Sequence, residues 1–337
     1  MKQTMYEWID GVRDAKVKKP MPVLSYPSVQ LLGVTVKELT GSADLQARGM
    51  KLVADRTDAL AAVSFMDLSV EAECFGSEIV KTDDEIPTVV GRIIESPEDA
   101  ENLKVPSAHS CRAGICVEGV RKAKQLITDR PVFAGVIGAF SLAGRLVDVT
   151  EAMVLCYEDP DMLKVVLDKC TQFLIAYIGE FKKAGADGVV IAEPLTGMLS
   201  PDLAEEFSEP YLKRIVDEVQ DENFLVIYHN CGNGTVRMID SILRTGSKAY
   251  HFGNAIDMRD MMPLIPPETV AMGNIDPAGQ FLNGTPESVR EETLKLLEDC
   301  SKYPHFVISS GCDIPPRSDW KNIDAFFGAV KEYYGRG

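Results

Sequence analysis

The chain has 337 residues, 45% of them hydrophobic, and a formal net charge of −16. That charge excludes the basic surface which nucleic-acid phosphates or anionic membranes require, and no apolar run approaches the length that spans a bilayer. The opening Met1-Lys2-Gln3-Thr4-Met5-Tyr6-Glu7-Trp8 has no apolar signal core, so a cytoplasmic location is expected. The eight cysteines, at 74, 111, 116, 156, 170, 231, 300 and 312, include no CxxC pair. In a chain of this size and expected location they read as thiols or metal ligands rather than disulfides.

Taken in order, short apolar, β-branched runs alternate with longer amphipathic stretches. The runs at 22–25, 61–65, 132–137, 188–192, 225–228, 249–252, 270–273 and 306–309 predict eight strands. Asp159-Pro160, Ser200-Pro201 and Thr285-Pro286 predict helix starts, since the side-chain oxygen caps free N–H groups and proline tolerates the first turn. The helix from Ser200 is expected to run on through Leu203, Phe207, Tyr211 and Ile215. Eight strands alternating with helices predict an α/β fold, a (β/α)8 TIM barrel forming a single domain over 1–337. Additional N-terminal helices at about 1–20 and an insertion after the second strand, about 76–130, are expected. An open doubly wound sheet is the alternative, weakened by the lack of a glycine-rich phosphate fingerprint after the first strand.

Such barrels gather their chemistry at the carboxyl ends of the strands. Here those ends carry Glu193, then His229 and Cys231, then Asn274 and Asp276, then Cys312. Residues two apart in a strand point the same way, so His229 and Cys231 leave the backbone together. With Cys312 they make the ligand set of a zinc site that keeps one position open. A structural zinc, or three unrelated core residues, stays open as the plainer reading. His251 is a weaker ligand candidate, and His109 and His305 read as surface residues.

The quoted segments carry a resemblance over nearly the whole chain from about residue 20. Ser69-Val70-Glu71-Ala72-Glu73, Gly138-Ala139-Phe140-Ser141, Ala192-Glu193-Pro194, His229-Asn230-Cys231-Gly232-Asn233, Gly273-Asn274-Ile275-Asp276-Pro277 and Gly311-Cys312-Asp313 resemble the uroporphyrinogen decarboxylase superfamily. Within it, the His-x-Cys…Cys set resembles the zinc-dependent methylcorrinoid methyltransferases of the methylcobamide:coenzyme M type. The resemblance implies Zn2+ held by His229, Cys231 and Cys312. It also implies methyl transfer between a corrinoid (methylcobamide) protein and a small-molecule acceptor such as coenzyme M, another thiol or tetrahydrofolate. No Asp-x-His-x-x-Gly segment is present to hold cobalt, so the corrinoid is expected on a partner protein; assembly as a homodimer is left open.

Glu193 and Asp276 are the candidate catalytic residues. Tyr26, Glu71, Glu73, Phe140, Ser141 and Asn274 are the candidate substrate contacts, and Glu71 and Glu73, two apart, are expected to share a face. Plainer readings stand beside these: Glu193 as a cap, Glu71 and Glu73 as a solvated pair, Asn274 and Asp276 as turn formers, Ser141 as a helix start. Two departures from the family pattern bear on function. The decarboxylase segment Arg-Gln-Ala-Gly-Arg is replaced by the region Ser25 to Gly33, which has no arginine, so porphyrinogen carboxylates would lack their clamp. Gly253 and Asn254 stand where coenzyme M enzymes carry acids, leaving the fourth zinc ligand undefined. A porphyrinogen decarboxylase and a non-catalytic corrinoid- or small-molecule-binding barrel remain as rival readings.

Overall fold

A computed structural model describes residues 3–335; Met1, Lys2, Arg336 and Gly337, the ends of the expected 1–337 domain, lie outside it. In chain order the strands are β1 (Ala62–Val63), β2 (Glu78–Val80), β3 (Thr88–Val90), β4 (Val132–Ile137), β5 (Gly188–Ala192), β6 (Leu225–Asn230), β7 (Ala249–Phe252), β8 (Val270–Ile275) and β9 (Phe306–Ser310). Seven form one sheet in the order β1-β4-β5-β6-β7-β8-β9, with every pair parallel. The architecture is a mixed α/β, TIM-barrel-like one. β2 and β3 make a separate antiparallel hairpin.

Residues 22–25 do not form the expected first strand. Pro20 and Pro22 have no N–H to give to a ladder, and side chains do much of the pairing instead. Met21 N donates to Ile308 O (3.0 Å) and Val23 N to Ser310 Oγ (3.0 Å), on β9. Pro20 O accepts from Leu60 N (2.8 Å), and Ser25 Oγ donates to Val63 O on β1. The segment therefore touches both edge strands, and the sheet curls until those edges face it.

Alternation along each strand sorts the core into two layers. Val189, Ile191, Val226, Tyr228, Phe306 and Ile308 pack outward under the helices. Phe133, Val190, Leu225, Ile227, Ala249, Val270, Met272 and Val307 pack inward. Both faces are buried, as parallel sheets require. The N-terminal helix Met5–Asp14 inserts Met5, Ile9 and Val12 into that inner layer. Its start is anchored by Met5 N donating to Glu222 O (2.8 Å).

The proline-led helix starts fall where expected, at Pro160–Lys183, Pro201–Phe207 and Pro286–Cys300, each with its Asp, Ser or Thr cap bonded. The second is shorter than expected. The chain breaks at Ser208 and restarts as Glu209–Val219, because Pro210 can supply no helical N–H. The 76–130 stretch holds the hairpin, the short helix Pro97–Asn102 and the helix Cys111–Leu126. That last helix lies between β1 and β4 in the chain and packs on Ala43–Arg56, so it is the crossover helix of that pair rather than an addition. Among the described residues no helix is long and apolar enough to cross a membrane.

Ile9 is 3% exposed within the inner layer. Ile9→Ala should lower the unfolding free energy by about 2–5 kcal/mol in urea titration. A change within experimental scatter would show that the N-terminal helix is not part of the cooperative core.

Candidate metal centre

The alternation that builds the inner layer also delivers the site. Leu225, Ile227 and His229 share one parity on β6, Ala249 and His251 one on β7, and Val307 and Ser309 one on β9. His229 pairs with His251 in the ladder register. The ligand atoms of His229, Cys231 and Cys312 all lie within 4.8 Å of one another. Cys312 Sγ is 3.6 Å from His229 Nε2. His229 is buried, whereas both cysteines are only partly so, leaving the sulfurs on the solvent side of the group.

Behind His229 a hydrogen-bond chain sets its tautomer. Ser309 Oγ donates its single proton to Met21 O (2.7 Å), so it accepts from His251 Nε2 at 2.7 Å. His251 Nδ1 then has only a lone pair to offer, and His229 Nδ1–H donates to it at 2.7 Å. His229 Nε2 is left with its lone pair facing the sulfurs, the tautomer a metal ligand needs. Burial, with His229 adding to it, holds His251 far below the usual imidazole pKa, so it stays neutral in this relay. His251 thus lies behind the ligand group rather than within it.

The two thiols share a hydrogen bond and titrate as a pair. The bond from Cys312 brings Cys231 down to about 7, and the same bond, with burial, pushes Cys312 up to about 12. Cys231 is placed by its neighbours. Asn230 Oδ1 accepts from Gly232 N (2.8 Å) and Thr235 Oγ1 (2.9 Å), while its Nδ2 donates to Glu193 O and Tyr228 OH, both at 2.9 Å. A Cβ at Gly253 would sit 2.3 Å from Cys231 Cβ, so glycine is required there for close approach. Among the described residues no carboxylate joins the three ligands.

The other expected residues divide sharply. Glu193 is fully buried, and its oxygens accept from Phe140 N (3.1 Å) and Ser141 N (2.7 Å), the free amides at the start of helix Ala139–Val147. Burial pushes it up to about 7 against those hydrogen bonds. Phe140 is buried, and Ser141 Oγ accepts from Leu195 N (3.1 Å). Asp276 Oδ1 accepts from Ala278 N and Gly279 N, both at 2.9 Å, and Asn274 Nδ2 donates to Gly253 O (2.9 Å) and Ile256 O (2.6 Å). Tyr26 is 0% exposed, its ring edge-on to Phe65 at 5.2 Å and its hydroxyl without a partner.

Glu71 and Glu73 do not share a face, because Val70–Phe75 is helical and residues two apart diverge on a helix. Glu71 turns inward: Oε1 accepts from Ile137 N (3.1 Å), Oε2 has no partner, and burial pushes its pKa up to about 8. Glu73 binds Arg112 (2.5 Å) and Lys81 (2.6 Å). Arg112 also reaches the buried Asp67 and Ser69 Oγ (2.8 Å), a cluster not anticipated from sequence. Its signal was there, an acid just past an apolar strand run. Among the other histidines, His109 is exposed and 3.0 Å from Glu180, whereas His305 is 4% exposed, stacked edge-on against Tyr303 and not at the surface as expected.

An α/β barrel-like sheet with a His-Cys-Cys group at its carboxyl end is a scaffold that can present a soft metal to substrate. The uroporphyrinogen decarboxylase (URO-D) family model matches residues 23–333, and the chain belongs to that family. It is 27% identical over 271 residues to the methylcobamide:CoM methyltransferase MtbA of Methanosarcina acetivorans, covering 79% of this chain and 78% of the relative. It is also 28% identical over 283 residues to the uroporphyrinogen decarboxylase of Hydrogenovibrio crunogenus, covering 81% and 78%. A solved methyltransferase from Methanosarcina mazei superposes with a TM-score of 0.86 at 23% identity, over 99% of this chain and 100% of that one. A B12-independent methionine synthase from Shewanella sp. W3-18-1 gives 0.60 at 16% identity, over 96% and 97%.

Ser309→Ala removes the acceptor that sets the tautomer of His251. Binding of added Zn2+, measured by chelator competition, should weaken about 10–100-fold with the fold intact. Unchanged affinity would show that His229 needs no such support.

Proposed function

We propose that the chain is a methyltransferase of the uroporphyrinogen decarboxylase family that uses Zn2+ on His229, Cys231 and Cys312 to move a methyl group from a corrinoid protein to a thiol acceptor. The observation that carries this reading is the ligand group itself, two sulfurs and one imidazole nitrogen within 4.8 Å at the mouth of the sheet. Likeness alone does not choose between transferase and decarboxylase, since the two relatives are nearly equally similar. The donor chemistry does: a soft N/S set favours zinc and a sulfur substrate, and porphyrinogen decarboxylation makes no use of it.

The residues fit the ion. His229 Nε2 is unprotonated, Cys231 is half-ionised near neutrality, and the second thiol proton is the one a dication displaces. Bound there, zinc would lower the pKa of an acceptor thiol and make its sulfur nucleophilic at neutral pH. The acceptor sulfur takes the methyl carbon as the carbon–cobalt bond breaks, and cobalt leaves with the electron pair. The partial exposure of Cys231 and Cys312 leaves the group reachable by a corrinoid carried on another protein. This chain's contribution is placement: Asn230 and Gly253 fix Cys231, and the relay through His251 fixes His229.

Cys312→Ser should strip most of the zinc and abolish acceptor-dependent demethylation of methylcobalamin, followed by the cobalt colour change. Full zinc retention with full activity would exclude the assignment. Zinc affinity should also depend on pH with a definite sign. Above about 7 Cys231 is already thiolate; below it a proton competes for the sulfur, so affinity falls as pH drops through that value. A flat chelator-competition profile across neutral and mildly acid pH would contradict this.

A further inference from the structure

Of the eight free cysteines only Cys111 is exposed; Cys74 is partly buried, and Cys156, Cys170 and Cys300 are buried. Cys111 is the first residue of the helix Cys111–Leu126. Its φ is +46°, a left-handed conformation that a residue with a Cβ keeps only where its surroundings hold it. The side chain lies against the end of the helix Val70–Phe75, with Sγ 3.7 Å from Glu73 O. Cys74 returns the contact, its Sγ donating at 3.3 Å to the carbonyl of Ser110, the residue before Cys111. A carbonyl oxygen stands under about 3 Å from the Cα of the residue that follows it, so each sulfur comes within about 7 Å of the other cysteine's Cα.

The two thiols are chemically unequal. Burial first, and then the charges of Glu71 and Cys111, push Cys74 up to about 12, which makes it a poor nucleophile toward reagents in solution. Cys111 is open to such reagents. The residues beside the pair already tie the same two helices together. Glu73 binds Arg112 (2.5 Å), and Arg112 continues to Asp67 and to Ser69 Oγ (2.8 Å) in the turn that follows β1. No residue of this junction belongs to the His229, Cys231 and Cys312 group.

We infer that Cys111 and Cys74 are a redox-active pair, in which Cys111 is a thiolation site for low-molecular-weight disulfides and Cys74 resolves the adduct into an internal disulfide. The Cys111 sulfur attacks one sulfur of the reagent; the reagent's S–S bond breaks, and its other half leaves with the electron pair and takes up a proton. Cys74 then attacks the Cys111 sulfur across the junction, and its proton passes to the second departing thiol. Two cysteine thiols are oxidised, and one small disulfide is reduced to two thiols. Proximity offsets the poor nucleophilicity of Cys74, since the second step lies within one molecule. The new bond joins the helices where the Glu73–Arg112 pair already does, and it covalently fixes the segment after β1 at the mouth of the sheet. None of this depends on the transferase reading.

The full-length protein as purified is treated with bis(2-hydroxyethyl) disulfide, which is small and neutral, so the net charge of the chain does not bias its approach. Products are followed by intact mass and by peptide mapping without reduction, with zinc content and urea unfolding measured on the same samples. The adduct should appear first on Cys111 and give way to a Cys74–Cys111 cross-linked peptide, with zinc content unchanged. The urea midpoint should rise with the cross-link and return on treatment with dithiothreitol. Cys111→Ser should slow thiolation about tenfold or more and abolish the cross-link. Cys74→Ala, and the closer-sized Cys74→Ser, should accumulate the Cys111 adduct with no rise in midpoint. A wild-type adduct on Cys111 that persists without cross-linking overturns the pair. First modification at another cysteine with Cys111 untouched overturns the site, as does a Cys231–Cys312 cross-link with zinc released in its place. Thiolation of Cys74 at the wild-type rate in Cys111→Ser overturns the order of the two steps.

Discussion

The imidazole of His251, wedged between His229 and Ser309, is the contact on which the arrangement of the site depends. His251 on β7 reaches across β8 to Ser309 on β9, and Ser309 in turn binds the carbonyl of Met21 in the segment between the sheet edges. Three strands and that segment thus share one polar chain inside an otherwise apolar lumen. Each member has its donor and acceptor matched, and breaking one leaves a buried group unsatisfied at a cost of about 1–3 kcal/mol. The chain also has a direction. Because Ser309 spends its proton on a carbonyl, protons on both imidazoles are assigned, and the lone pair of His229 is aimed at the sulfurs. The same network that holds the barrel interior together therefore prepares the ligand.

Around this centre, the carboxylates at the strand ends act on the backbone of neighbouring elements rather than on the His229, Cys231 and Cys312 group. Glu193 takes two free amides of the helix Ala139–Val147, and Asp276 takes two amides of the turn Pro277–Leu282. Asp67 and Glu73 fix Arg112, and with it the start of Cys111–Leu126. Acids suit this task because helix starts carry unpaired N–H groups and partial positive charge. Glu71 differs: one of its oxygens has no partner, and its pKa of about 8 keeps it protonated at neutral pH. A neutral carboxyl tolerates burial far better than a carboxylate.

Much of this was legible in the sequence, and the reasons are specific. Strand runs at 132–137, 188–192 and 249–252 match β4, β5 and β7 residue for residue, because both faces of a parallel strand are apolar. His229 and Cys231 followed from period-two geometry at a strand end. Residues 22–25 misled because an apolar composition hid the absence of N–H donors at Pro20 and Pro22. The Glu71 and Glu73 pairing misled because a short segment after a strand gives no period by which to tell helix from extended chain. The relay through His251 depends on the register between β6 and β7, which is no local property of the sequence.

A clamp for porphyrinogen carboxylates needs positive charge in the region where the resemblance expects it. In the region Ser25 to Gly33, where the resemblance expects an arginine clamp, Ser25 to Val29 are buried. Tyr26 packs on Phe65, and Gln30 Nε2 donates to the carbonyls of Pro316 and Ser318, both at 2.8 Å. No arginine or lysine stands between Ser25 and Gly33 to pair with a carboxylate. Arg145 lies on the helix Ala139–Val147 after β4 instead, beside a cavity of about 210 Å3. The family shares this scaffold, and what the chain does rests on the side chains at its mouth rather than on the fold.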